Sequence, residues 1–266
     1  MTPVVGRWGD AGSGGAARRF PSVASSATME GMTAAPASVT AATASATAPA
    51  ASVTAVCRVS ALLPDSGTIG VTAIDKRPVD GPVHVRPLGL RADVQADRKH
   101  HGGLDQAVYV FADEDAAHFA ELLGREVAPG LFGENLRTSG VDVTGAVIGE
   151  RWAVGETLVL EVTKPRVPCG TFARRLGEAM WVKRFYAEGR PGTYLRVVKA
   201  GPVQAGDGVT VLSRPSHGVT IGEAFTGLEP DRAEALLAAV DGPDRLRLTD
   251  EVRGFAEKAL RGRVPA

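Results

Sequence analysis

Short runs of alternating apolar and polar residues recur along the chain. In "TLVLEV" (157–162) Leu158, Leu160 and Val162 share one face, and "VHVRPLGL" (83–90) alternates likewise, the period-two signature of a half-buried strand. "AVYVF" (107–111), "YLRVV" (194–198) and "GVTVL" (208–212) add three more strands, bounded by turn signals such as Asp80-Gly81-Pro82 and Gly206-Asp207-Gly208. Helical spacing interrupts twice. Ala116, Phe119, Ala120 and Leu123 follow i, i+3, i+4, i+7, with Gly124 at the C-cap. A second helix is predicted from about Phe172 to Glu188, closed by Gly189 and Pro191. Many short strands and few helices predict a closed or strongly bent sheet rather than a βαβ array.

The last fifty residues change period. Thr220 and Glu223 form a capping box, with Val219 placed to staple onto Ala224. Ile221, Ala224, Phe225 and Leu228 make one apolar stripe. Ala233, Leu236, Leu237 and Val240 make a second, entered through Pro230 and stopped by Gly242. Val252, Phe255, Ala256 and Ala259 make a third, with Asp250 and Glu251 at the favourable dipole end. Three helices this short cannot stand alone and should pack on each other or on the sheet.

The start of the chain has no such pattern. Between Phe20 and Cys57 the only charge is Glu30, and Ala, Ser, Thr and Pro dominate. Small side chains bury too little area to offset chain ordering, so residues 1–53 read as a disordered extension. Arg18-Arg19-Phe20 lacks the apolar run that an export signal needs after it, which favours a cytoplasmic protein. The implied organisation is this extension, a β domain over 54–214 and a three-helix domain over 215–266.

Charge removes several function classes. Lys plus Arg and Asp plus Glu are equal at 30 each in 266 residues, with no block of one sign. Nucleic-acid and membrane-surface proteins concentrate positive charge, so neither partner is expected. The helical tail carries seven Arg or Lys against nine Asp or Glu, unlike a DNA reader. No stretch approaches the ~18 apolar residues of a membrane span. Motifs of the GxSxG, HExxH and Walker type are absent.

Two cysteines without CxxC spacing are not a disulfide framework. Cys57, in "AVCRV", reads as core. Cys169, in "KPRVPCG" (164–170), stands where a strand ends and a helix begins, near Lys164 and Arg166. Unpaired backbone N–H groups and nearby cations favour a thiolate, the form that ligates soft metals or attacks electrophiles. The competing reading is a small buried hydrophobe. His100 and His101, in "DRKHHGGLDQAVYVF" (97–111), point to opposite faces if extended, and no other His has ligand spacing, so a structural zinc site is not expected. In "GLFGENL" (130–136), Gly133 permits close backbone approach, and Asn135 either offers its amide to a ligand or caps its own turn.

Taken in order, "GLRADVQADRKHHGGLDQAVY", "LFGENL", "KPRVPC" and "YLRVVKAGPVQAGD" resemble the MOSC family, the domain found at the C-terminus of molybdenum-cofactor sulfurases, and within it the YiiM-like branch. The resemblance runs from about Val56 to the end of the chain. Two positions depart from the family pattern: Ala92 replaces the usual Gly before Asp93, and Leu104 replaces the usual Pro after Gly103.

The resemblance implies a mainly β fold with some α, a MOSC-type barrel like that of pyruvate kinase, with a C-terminal three-helix appendage. It implies a molybdenum–pterin cofactor with Cys169 as metal ligand. Arg98, Lys99 and Arg166 would pair with the pterin phosphate, Gln95, Gly102 and Gly103 would shape the approach, and Asn135 would read the pterin edge. His101 and Asp105 would orient these groups or move protons, or else brace the turn. The activity implied is reduction of N-hydroxylated substrates of the hydroxylaminopurine type, with electrons from a separate donor protein, since no iron–sulfur, flavin or nicotinamide motif is present. The alternative is a non-catalytic carrier of the cofactor or of sulfur. The length leaves no room for the pyridoxal-phosphate domain of the sulfurases.

Overall fold

Burial follows the predicted alternation and assigns each face of the central strand to its own core. The computed structural model describes residues 51–96 and 102–262. In β5 (Val108–Ala112), Val108, Val110 and Ala112 face one apolar cluster, while Tyr109 and Phe111 face another. Such two-sided burial suits a central strand.

The eight-stranded sheet comprises β1 (Ser52–Pro64), β2 (Val71–Pro78), β5, β6 (Leu136–Ser139), β7 (Arg151–Val154), β8 (Leu158–Pro165), β9 (Thr193–Lys199) and β11 (Val209–Ser213), in the order β11-β7-β8-β9-β5-β6-β1-β2. A small sheet pairs β10 (Gly201–Val203) with β3 (Val83–Arg86) and β3 with β4 (Gly89–Leu90). The run 83–90 is thus two strands turned at Pro87-Leu88. Among the described strands only β5 and β6 pair in parallel, and α1 (Asp113–Leu123) is their crossover.

Helices pack on both cores. The tail forms α4 (Ile221–Thr226), α5 (Pro230–Asp241) and α6 (Asp250–Arg261). Their residues Ile221, Ala224, Leu236, Val252 and Ala256 join the same cluster as Val56, Leu160 and Leu195 of the sheet. The capping box at Thr220 and Glu223 is formed. The helix expected over Phe172 to Glu188 is instead two, α2 (Gly170–Leu176) and α3 (Trp181–Glu188). Gly177 at φ 68° and Met180 at φ 55° take left-handed conformations that break the helical path.

The ladder is open, with β11 and β2 at its edges, so the barrel implied by the family likeness is not completed. The start of β1 nevertheless curls toward the turn before β11. A bridge joins Ser52 to Gly208, and Val53 N–H donates to Asp207 O at 2.8 Å. β1 itself divides its pairing, Ser52–Val56 with β6 and Cys57–Pro64 with β2. That division swings the β1–β2 turn over the end of β8, where the cleft lies.

Candidate functional site

The end of β8 carries Lys164 and leads through Arg166 into Pro168 and Cys169, one wall of a cleft of about 780 Å³. Facing it are the β1–β2 turn at Asp65–Ile69, Ile74 and Lys76 of β2, Gln95, Gly102, and the turn holding Phe132, Gly133 and Asn135. Tyr109 and Tyr194 contribute rings to the lining, and burial raises the pKa of both phenols above the ordinary tyrosine range. The Tyr109 O–H donates to Pro191 O at 2.9 Å.

Cys169 is the N-cap of α2, in extended backbone at φ −122°, and is partly exposed. Seven residues do not hold a helix by themselves. Phe172 anchors α2 in an aromatic cluster, its ring 5.1 Å from that of Phe132 and 5.5 Å from that of Trp181. The far side is tied by Arg174, which donates to both carboxylate oxygens of Asp65 at 2.7 and 2.6 Å. That guanidinium lowers the Asp65 pKa to about 2. Neither cysteine is in a disulfide. Cys57 is fully buried, and burial pushes its thiol up to about 12, in keeping with a core residue.

Arg166 is the most informative side chain. It is 5% exposed, with its guanidinium carbon 3.8 Å from the Phe172 ring centroid and 5.6 Å from that of Tyr109. Its buried Nη1 has no hydrogen-bond partner among the described residues. A buried, unpaired charged donor costs about 1–3 kcal/mol or more, so this guanidinium, in a residue of the cleft wall, suits an incoming anion.

Behind the opposite wall, Asp93 gathers three donors: Val59 N–H at 2.8 Å, Lys76 Nζ at 2.6 Å and Asn135 Nδ2 at 2.8 Å. The other Asn135 amide hydrogen goes to Cys57 O at 3.3 Å, and its oxygen accepts Tyr109 N–H at 3.2 Å. Asn135 therefore holds β5, β1 and Asp93 in register. Gly102, at φ 118°, packs against Gln95 so closely that a Cβ there would stand 2.0 Å from Gln95 Oε1.

The structure thus brings Cys169, Arg166, Asn135, Gln95 and Gly102 together around one cleft. Gly103 lies beside it and caps a single 3₁₀ turn, Leu104–Gln106. Asp105 does not line it. Its carboxylate pairs with Arg247 at 3.1 Å and Arg196 at 3.2 Å, and its carbonyl accepts from Thr163 Oγ1 at 2.6 Å, a bracing arrangement. Arg98, Lys99 and His101 lie outside the described residues. Pattern reading missed Lys76, Arg174 and Glu251. Lys76 could have been suspected from three consecutive charges, Asp75-Lys76-Arg77, inside a strand. Glu251 could not, because it reaches the cleft from α6, 87 residues beyond its partner Lys164.

Comparison with known proteins now decides the family. The MOSC domain model matches residues 97–210. Over 157 residues the chain is 34% identical to protein YiiM of Escherichia coli, covering 58% of this chain and 69% of that one. It is also 34% identical over 150 residues to the uncharacterized protein YflK of Bacillus subtilis, covering 56% and 67%. The chain is a YiiM-like member of the MOSC domain family. A Gibberella moniliformis protein named "Reductase" is 31% identical over 150 residues, 54% of this chain and 26% of that longer protein. The crystal structure of YiiM from Geobacillus stearothermophilus shares the fold, with a TM-score of 0.61 at 23% identity, covering 79% of this MOSC protein and 99% of that chain. Among the described residues no helix is long and apolar enough to cross a membrane.

Proposed function

We propose that this MOSC protein holds a molybdenum–pterin cofactor in the cleft and uses it to reduce N-hydroxylated substrates to amines. The observation that carries the reading is the pairing of one soft donor, Cys169, with one buried anion site, Arg166 Nη1, in a single cleft. Among the described residues no group of three or more His, Cys, Asp or Glu could hold a bare metal ion. One thiolate therefore suits a metal that arrives with its own organic sulfur ligands, and thiolate is the matching soft donor. The relative named "Reductase" is in keeping with an oxidoreductase role.

The bound group would supply two-electron oxygen-atom chemistry. Overall, R–NHOH takes two electrons and two protons to give R–NH₂ and water, so an external donor must deliver the electrons. The chain's own residues do the rest. Cys169 would ligate the metal, and the cation–π contact with Phe172 fixes the Arg166 plane for a phosphate. Glycine at 102 and 133 lets Gln95 and Ile74 pack against the backbone in the cleft wall, while Asp93 and Asn135 keep that wall in register. Tyr109, buried, and Tyr194, partly buried, are neutral rings in the cleft lining that would meet a planar substrate.

The test is turnover of an N-hydroxylated aminopurine with an artificial reductant, using protein from a host that makes the cofactor. The reading expects amine formation, and at least a tenfold loss of cofactor retention in Arg166→Gln. Cofactor-replete protein that binds the substrate yet never turns it over would overturn the reductase assignment and leave a carrier.

A further inference from the structure

Among the described residues four cations line the cleft: Lys76, Lys164, Arg166 and Arg174. Three of them already have a carboxylate. Lys76 pairs with Asp93 at 2.6 Å, Arg174 with Asp65 at 2.6 Å, and Lys164 with Glu251. Only Arg166 has no acidic partner among the described residues, and its Nη1 lacks any hydrogen bond there. The pairs differ in origin. Asp65 comes from the β1–β2 turn and Asp93 from the segment after β4, whereas Glu251 is, among the described residues, the only cleft-lining residue from the three-helix tail. Its side chain is one-third exposed, against 11% for Lys164, so the carboxylate stands on the open side of the pair. Lys164 in turn lies 5.7 Å from the Tyr194 ring centroid.

A tie between α6 and the sheet needs no such placement, since Val252 and Ala256 already bury the helix in the core. We infer that Glu251 is a specificity-determining residue: by neutralising Lys164 it withdraws that ammonium from an incoming anion, leaving Arg166 the one cleft cation without a carboxylate among the described residues, and so disfavours phosphorylated forms of the substrate. Once the cofactor's phosphate takes Arg166, an N-hydroxylated base or nucleoside meets no penalty, while its monophosphate meets a carboxylate and no unpaired described cation. This inference rests on the proposed reductase function for the identity of the substrate, but its physical core does not.

That core is tested without cofactor or turnover. Inorganic phosphate is titrated by calorimetry into the full chain, made in a host that cannot synthesise the cofactor, at one ionic strength. The proteins are wild type, Glu251→Gln, Lys164→Met and the double variant, each with its melting temperature recorded. Glu251→Gln should gain a second phosphate site or bind about tenfold more tightly, since a freed ammonium adds a charge-assisted bond. The double variant should return to the wild-type value. Unchanged binding in Glu251→Gln at a wild-type melting temperature would overturn the inference, as would an equal gain in the double variant, which would make the effect one of net charge. In cofactor-loaded protein the same substitution should narrow the preference for nucleoside over monophosphate. Failure of turnover in every protein would count against the reductase reading alone.

Discussion

Replacing Asp93 by Asn removes the negative charge on which three donors converge behind the cleft. The side chains of Asp93 and Lys76 are 7% and 10% exposed, so water screens the pair poorly. The Asn amide retains one acceptor oxygen, but its NH₂ must face the Lys76 ammonium, the Val59 N–H or the Asn135 amide, all of them donors. Breaking a buried pair by deleting one partner costs about 3–5 kcal/mol. Both groups keep some contact with solvent, which favours the lower end, ~3 kcal/mol. For a domain of this size each kcal/mol moves Tm by about 2–4 °C, so a fall of roughly 6–12 °C is expected. Thermal and urea unfolding of Asp93→Asn, Lys76→Met and the double variant form a cycle. The double variant should be less destabilised than the sum of the singles by about 2 kcal/mol, because Lys76→Met removes the stranded cation. A loss under 1 kcal/mol for Asp93→Asn, or additive singles, would refute the reasoning.

Other perturbations read different parts of the site. Ala92 sits at φ 61°, a conformation that costs a side chain about 1–2 kcal/mol, so Ala92→Gly should raise stability by about 1 kcal/mol in urea unfolding despite adding backbone freedom. The Arg174 bond lowers the Asp65 pKa to about 2, so its stabilising effect is full above the unfolded carboxylate range near 4 and is lost as pH falls toward 2. Asp65→Asn should accordingly be less stable than wild type at pH 6 and indistinguishable from it near pH 2, as measured by urea midpoints. Gly102→Ala should lose cofactor at least tenfold with the fold kept by circular dichroism, since the new Cβ displaces Gln95 and φ 118° disfavours any side chain.

Much of this site was legible because its chemistry sits in local order. Lys164 to Cys169 is one continuous stretch, and Gly102 and Asn135 lie in turns with recognisable residue chemistry. The caps at Gly124 and Thr220 were legible for the same reason. What escaped depends on partners distant in sequence or on buried charge. β6 was hidden because Arg137, 1% exposed, occupies its interior and is satisfied by Glu134 and the carbonyls of Val127 and Ala128. A polar residue there breaks the apolar pattern that marks a strand. Periodicity could not see that two left-handed residues split the helix after Cys169. Ala92 shows the converse. The departure from the family pattern falls on a residue with positive φ, where glycine carries no steric cost. Leu104 opens the 3₁₀ turn, a first-turn position that also accepts proline.

The central claim is that Cys169 and Arg166 together retain a molybdenum cofactor in this cleft. Elemental analysis of protein purified from a cofactor-producing host, wild type beside Cys169→Ser, tests it most directly. Near-stoichiometric molybdenum is expected in the wild type, with its loss from a variant that keeps the wild-type circular dichroism spectrum. Equal molybdenum in the two proteins, or none in folded wild type from cofactor-replete cells, would contradict it.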